Sequence, residues 1–169
     1  MSFATRHSPH LHLSPHTCPG GRCRGVQVFE ILPASWRDLN ALRRLERACF
    51  TSDAWPLLDL IGVLSLPNVV RLKAAIDNEM VGFVAGDRRA SKDLAWIATI
   101  GVLPAHRRRG IAAALLQTCE NQLNVSRIRL SVRAENLAAL HLYEGCGYQR
   151  VEIWPAYYQG GADAIVLEK

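Results

Sequence analysis

From Val26 onward the chain settles into periodic apolar segments. "VQVFEIL" is rich in β-branched and aromatic residues and predicts a strand. Trp36, Leu39, Leu42, Leu45 and Cys49 then recur at helical spacing across "WRDLNALRRLERACF". Ser35, with Asp38 three residues later, supplies a capping-box start for that helix. "TSDAWP" breaks it, and "LLDLIGVLS" predicts a second, short helix. "NVVRLKAAID" and "MVGFVAGDRR" flank Asn78-Glu79 and predict a hairpin turning there. "DLAWIATIGVL" is apolar at nearly every position, which predicts a central strand buried on both faces.

The second half alternates strands and helices. "GIAAALLQTCENQL" is made of strong helix formers. "RIRLSVRA" alternates Arg and Ser with Ile, Leu and Val, a strand with one polar face. Asn136 can cap "LAALHLYEGCG", whose end is marked by Gly145 and Gly147. "YQRVEIW" and "ADAIVLEK" are the last strands. The order βααβββαβαββ belongs to the α/β (α+β) class and implies a mixed sheet covered by helices.

Composition changes this picture mainly at the N-terminus. A chain of 169 residues, 49% hydrophobic and 21% charged, suits one soluble domain with a real core. Residues 1–25 are rich in Pro, Gly, Ser and His without a sustained period, and are expected to be a disordered tail; 26–169 is the domain. The tail's histidines with Cys18 and Cys23 match no structural zinc spacing, so no metal is expected. Of the net charge of +5, Arg6, Arg22 and Arg24 account for three, leaving about +2 elsewhere. That balance indicates no nucleic-acid footprint. No apolar run approaches the ~18 residues of a membrane span. Five cysteines, Cys49, Cys119 and Cys146 among them in apolar, helix-like contexts, read as reduced thiols of a cytoplasmic protein.

One stretch conflicts with its own secondary structure. "HRRRGIAAAL" sets Arg107, Arg108 and Arg109 where a helix begins, although the helix dipole already makes that end positive. An anion would resolve the conflict. Gly110 permits a turn and a close approach, the first-turn amides are free to donate, and Ala112 and Ala113 keep the turn open. Arginine suits phosphate geometry, so a phosphate or pyrophosphate is the expected ligand. Neither a GK[ST] phosphate loop nor GxGxxG is present.

Arg107, Gly110 and Ala112 make R-x-x-G-x-A, which resembles the acyl-CoA signature of the GNAT N-acetyltransferases. Downstream, Asn136, Ala139, Leu142, Tyr143 and Gly147, with Tyr148 in place of Phe, resemble that family's N-x-x-A-x-x-L-Y-x-x-x-G-F. The two signatures stand in order, separated by one strand. Tyr157 and Tyr158 ahead of Asp163-Ala164 resemble the ending of the RimI-type protein N-terminal acetyltransferases, and "CFTSDAWP" resembles that branch's substrate loop.

The resemblance implies a GNAT fold: a splayed, mostly antiparallel sheet of about seven strands with about four helices. It implies acetyl transfer from acetyl-CoA to a primary amine, most simply a protein or peptide N-terminus. A small-amine acceptor, or an acyl-CoA-binding module without catalysis, are the alternatives. Backbone of Ile100, Gly101 and Val102 would hold the pantetheine arm. Arg107, Arg108, Arg109, Gly110, Ile111 and Ala112 would hold the pyrophosphate. Asn136 would also touch the co-substrate. Tyr143 would protonate the leaving thiolate, and Tyr157 and Tyr158 would line the acceptor site. The branch carries a carboxylate base in "LEVR"; here the stretch is "LSVR", with Ser131 at that position. Glu135, His141 and Asp163 are candidate substitutes for the base, each with a structural or solvated role as the plainer reading. An α-amine, with a pKa near 8, needs the least help from a base. The chain is expected to act as a monomer or homodimer.

Overall fold

The computed structural model describes residues 28–50, 55–89 and 93–169. The N-terminal tail, with Cys18 and Cys23, and much of the "CFTSDAWP" loop lie outside these residues. Among the described residues, seven strands form one sheet in the order β1-β2-β3-β4-β5-β7-β6. They are β1 Glu30–Pro33, β2 Val69–Ile76, β3 Glu79–Arg89, β4 Leu94–Val102, β5 Arg127–Arg133, β6 Gln149–Trp154 and β7 Ala164–Glu168. The helices are α1 Leu39–Cys49, α2 Leu57–Ser65, α3 Ile111–Leu123 and α4 Leu137–Gly145. The expected element order and the mixed, mostly antiparallel sheet are both present.

The sheet's one parallel pair, β4 with β5, follows from its connection, because a crossover helix, α3, must link parallel neighbours. That pairing runs only from Leu94–Arg127 to Trp96–Arg129. β4 remains paired with β3 as far as Val102, while β5 turns to β7 as far as Arg133. Between Ile97 and Val102, β4 therefore has no strand on its β5 side among the described residues. The sheet opens there as a wedge.

Two apolar clusters hold the two faces. α3 and α4 pack Leu115, Leu116, Cys119 and Leu140 against β3, β4, β5 and β7. α1 and α2 pack Leu42, Leu45, Leu60 and Val63 around Phe83 on the opposite face. A Cβ at Gly101 would lie 3.1 Å from Leu45 and 3.3 Å from Phe50. The missing side chain thus lets the C-terminal end of α1 settle directly on β4, beside the wedge.

Four local expectations change. β1 starts at Glu30, so Val28 and Phe29 precede the strand. The Ser35 capping box forms, with the Ser35 amide donating to Asp38 at 2.9 Å, but it caps a short 3-10 turn ahead of α1. Trp36 lies on that turn and is 70% exposed, outside the core. The hairpin turns at Asp77 and Asn78, not at Asn78-Glu79; φ values of 50° and 65° suit the strand twist of a two-residue turn. β4 is not buried on both faces throughout, since Ala98 is exposed and Thr99 and Ile100 are half-buried where β5 diverges.

Candidate active site

Arg107, Arg108, Gly110, Ile111 and Ala112 form one wall of a groove of about 660 Å³. Gly110 caps α3 with φ +78°, a left-handed conformation that costs glycine little. No side chain caps this end, so the first-turn amides stay available to an anion. The opposite wall is α4, through Asn136, Ala139 and Leu142, and Ile100, Gly101 and Val102 lie between. These expected residues therefore converge on one groove.

The three arginines do different things. Arg107 lines the groove, and its Nε donates to the Val102 carbonyl at 3.1 Å, which holds its guanidinium at the β4 end. Arg109 turns back to the Ala105 carbonyl, 3.3 Å away, and does not line the groove. Arg108 lines it and bonds to no described residue; its backbone sits at φ +62°. Of the three side chains, Arg107 and Arg108 face the groove. Asn136 caps α4, its Oδ1 accepting from the Ala139 amide at 3.1 Å, while bordering the same groove.

The wedge between β4 and β5 holds a second cavity of about 300 Å³. Ser131 and Tyr143 reach it from β5 and α4, and Tyr157 and Tyr158 from the loop after β6. Tyr143 is 6% exposed and stacks edge-on with Tyr148 at 6.0 Å. Burial pushes its phenol well above the ordinary value, and nearby Tyr158 and Cys146 add to that. Tyr143 therefore keeps its proton across the working pH range.

Glu46 is the residue that sequence reasoning missed. It projects from α1 into this cavity and is 2% exposed. Desolvation pushes its carboxyl from 4.5 up to about 7, against smaller opposing effects from the Thr99 hydroxyl and the Trp55 amide. Thr99 donates to Oε1 at 3.4 Å, and Oε2 has no hydrogen-bond partner among the described residues. The available signal was its place between Leu42, Leu45 and Cys49 on the apolar stripe of α1. A carboxylate there must be buried, and buried carboxylates need a reason.

The other substitute bases are elsewhere. Glu135 is exposed and lines neither cavity. Asp163 accepts from the Ala156 amide at 2.9 Å and so fixes the loop after β6. His141 borders the groove, not the wedge. Ser131 lies in the wedge, half-buried. Among the described residues no group of His, Cys, Asp and Glu is arranged to hold a metal.

The sequence profile of the acetyltransferase (GNAT) family matches residues 33–148. The chain belongs to that family. It is 33% identical to the N-alpha-acetyltransferase RimI of Mycobacterium tuberculosis, over 78% of this chain and 86% of the relative. It is 35% identical to an N-alpha-acetyltransferase of Sulfurisphaera tokodaii, over 82% of this chain and 91% of the relative. The crystal structure of the ribosomal-protein-S18-alanine N-acetyltransferase from Escherichia coli superposes with a TM-score of 0.76 at 26% identity, covering 83% of this chain and 92% of that one. This GNAT chain is thus an acetyl-CoA-dependent N-acetyltransferase, and the wedge and groove described above are its candidate active site. No helix among its described residues is long and apolar enough to cross a membrane.

Proposed function

We propose that this GNAT chain transfers acetyl from acetyl-CoA to the N-terminal α-amine of a polypeptide. The observation that carries this reading is the pairing of Glu46 and Tyr143 in one cavity, with their proton affinities set for opposite tasks. Near pH 7 roughly a tenth of an α-amine is neutral. Glu46, with a pKa of about 7, is matched to accept the proton such an amine loses as it attacks. Tyr143 holds the proton for the departing thiolate. The unpaired edge of β4 offers backbone amides to the carbonyl oxygen as charge develops there.

The residues of the groove fit acetyl-CoA as substrate. The open end of α3 with Arg107 and Arg108 suits the pyrophosphate, and the free β4 edge suits the amides of the pantetheine arm. Ser131 sits where the branch's strand carboxylate would be; here the base comes from α1 instead. The absence of a base in "LSVR" therefore does not argue for a non-catalytic module.

The wedge also favours a polypeptide over a polyamine. Glu46 is the one acid among the described residues that line it, whereas Phe50, Trp55, Tyr157 and Tyr158 are aromatic. A polycation would meet one carboxylate and several rings. The relatives named above as N-alpha-acetyltransferases point the same way. The test is CoA release with alanine-led peptides, free amino acids and spermidine. Peptides are expected to be turned over at least ten-fold more efficiently than either other class. Spermidine turned over best would replace this reading with a small-amine one.

A further inference from the structure

The sheet face opposite α3 and α4 is covered by α1 and α2, which pack on β2, β3 and β4 and on each other. Their inner sides hold the cluster around Phe83. Their outer sides are unlike each other. Helical spacing brings Asn40, Arg43, Arg44 and Arg47 to one exposed stripe of α1. The guanidinium groups of Arg43, Arg44 and Arg47 bond to no described residue. The acids of this helix and of the 3-10 turn before it are engaged elsewhere. Asp38 pairs with Lys73, and Glu46 points inward to the wedge.

α2 is apolar outside as well as inside. Leu60, Val63 and Leu64 are buried, yet Leu57, Leu58 and Ile61 are exposed, Leu58 at 79%. Leu66, just past the helix, is exposed too. Trp36 stands exposed on the 3-10 turn, which packs against both helices, and the Arg37 guanidinium lies 5.6 Å over its ring. Asp59 is the one acid on the outer side of α2 among the described residues. Aliphatic and indole side chains left in water beside unpaired arginines call for a partner that is both apolar and anionic.

Charge and shape narrow the partner. The chain ahead of β1 carries Arg6, Arg22 and Arg24 and no acid before Glu30, so it has no charge with which to cover the arginines of α1. A second copy would bring the same arginines. A nucleic acid would answer the arginines but not the leucines. None of Trp36, Arg43, Arg44, Arg47, Leu58 and Ile61 lines either cavity, so the surface is a ridge of two helices and not a groove for a partner helix. A ridge with an apolar crest and a basic flank fits a flat anionic layer. We propose that the outer face of α1, α2 and the turn before them docks the protein on an anionic lipid bilayer. Leu58, Ile61 and Trp36 enter the headgroup layer, and Arg43, Arg44 and Arg47 meet the lipid phosphates. The protein lies on the bilayer and does not span it. This surface is independent of which amine the wedge accepts.

The test is cosedimentation of the full chain with vesicles of phosphatidylcholine alone and of phosphatidylcholine mixed with phosphatidylserine. Wild type is expected to bind the mixed vesicles about a hundred-fold more tightly at low ionic strength, with the gap closing as salt rises. Replacing Arg43, Arg44 and Arg47 together by Ala should remove most of that gap, each arginine near such a surface being worth roughly five-fold. Leu58→Ala with Ile61→Ala should weaken binding to the mixed vesicles about ten-fold, even at low salt. Alanine keeps both helices, and unchanged acetyl-CoA affinity in both variants checks the fold. Ile153→Ala, likewise exposed but on β6 at the far edge of the sheet, should bind vesicles as wild type does. Equal binding to the two vesicle types, or binding to neither, overturns the docking surface. Binding that survives the Leu58 and Ile61 replacements and is competed away by RNA overturns it too, and makes the face a general polyanion surface. A wild-type dimer that Leu58→Ala with Ile61→Ala dissociates gives the face to a second copy instead.

Discussion

The groove at the start of α3 and the wedge beside it differ in how they are built. One short stretch, Arg107 to Ala113 with Arg109 turned away, supplies most of one wall of the groove. The wedge takes Glu46 from α1, Thr99 from β4, Ser131 from β5, Tyr143 from α4 and Tyr157 from the loop after β6. The groove offers open backbone amides beside a left-handed glycine, with the Arg107 and Arg108 side chains next to them. The wedge works through side chains whose proton affinities depend on burial. A local device can be transplanted as a motif, and its failure modes are local. A convergent device depends on the whole fold to set each pKa.

The sharpest way to break that contrast is to remove the group burial has tuned. Glu46→Gln keeps the shape of the carboxyl but cannot take a proton, so kcat should fall roughly 100-fold or more. Acetyl-CoA affinity should stay within about two-fold, because the groove is separate. Wild-type kcat/KM should rise with pH through about 7, as Glu46 loses its proton, and this limb should vanish in the variant. Stability carries an independent sign. A carboxyl at about 7 when folded and near 4.5 when unfolded binds more protons in the native state between those values. Native stability therefore falls as pH rises across that window, and stays reduced above it. Glu46→Gln should be more stable than wild type at pH 8 by about 3 kcal/mol, and less distinct at pH 5. Thermal melts at the two pH values check this. A full pH limb in the variant would remove Glu46 from the proton path.

Tyr143→Phe comes next. Loss of the proton donor should lower kcat roughly 10- to 100-fold with little change in KM for the peptide. The ring remains, so its edge-on contact with Tyr148 and the packing around it should survive. A loss confined to KM would make Tyr143 a wall of the cavity and not a donor.

What could be read from the chain alone follows the same division. Helix and strand order was legible because each segment's period is local. The groove was legible because a run of arginines before Gly110 contradicts the helix it precedes, and such a contradiction is visible without neighbours. Tyr143 was legible through its spacing from Asn136. Glu46 was not read, although it lay in plain view on an apolar stripe. Its role depends on β4 passing beneath α1 at Gly101 and on β5 departing after Arg129. Nothing within α1 announces either event. The burial of β4 was overread for the same reason, since its apolar run does not reveal where its neighbour leaves.

The arginines allow a finer cut within the local device. Arg108 alone of the three lines the groove with no bond to any described residue. Arg108→Ala should therefore weaken CoA binding about ten-fold, the worth of one charge-assisted hydrogen bond of about 1.5 kcal/mol. Arg109→Ala should cost less, because its guanidinium is turned to Ala105. A pantetheine fragment without the nucleotide should bind both variants as it binds wild type. Calorimetric titration of the two ligands against the two variants measures all four values. Equal losses for both ligands would mean that these residues hold the β4 edge and not the phosphates.

The smallest expected effect is the most pointed. Ser131 stands on the polar side of β5, in the wedge, at the position where a strand carboxylate serves the RimI-type branch. Were that position still the chemical centre, a hydroxyl or a water held by it would be indispensable. With Glu46 reaching the same cavity from the other side, Ser131 has only to fill space and stay polar. Ser131→Ala removes one hydroxyl from a half-buried site and should change kcat/KM by no more than about three-fold. The pH profile should keep its limb near 7, because that limb belongs to Glu46. A loss above ten-fold, or a shifted limb, would return the base to β5. It would also mean that the convergent cavity uses α1 only to exclude water, which would leave the buried charge of Glu46 without a task.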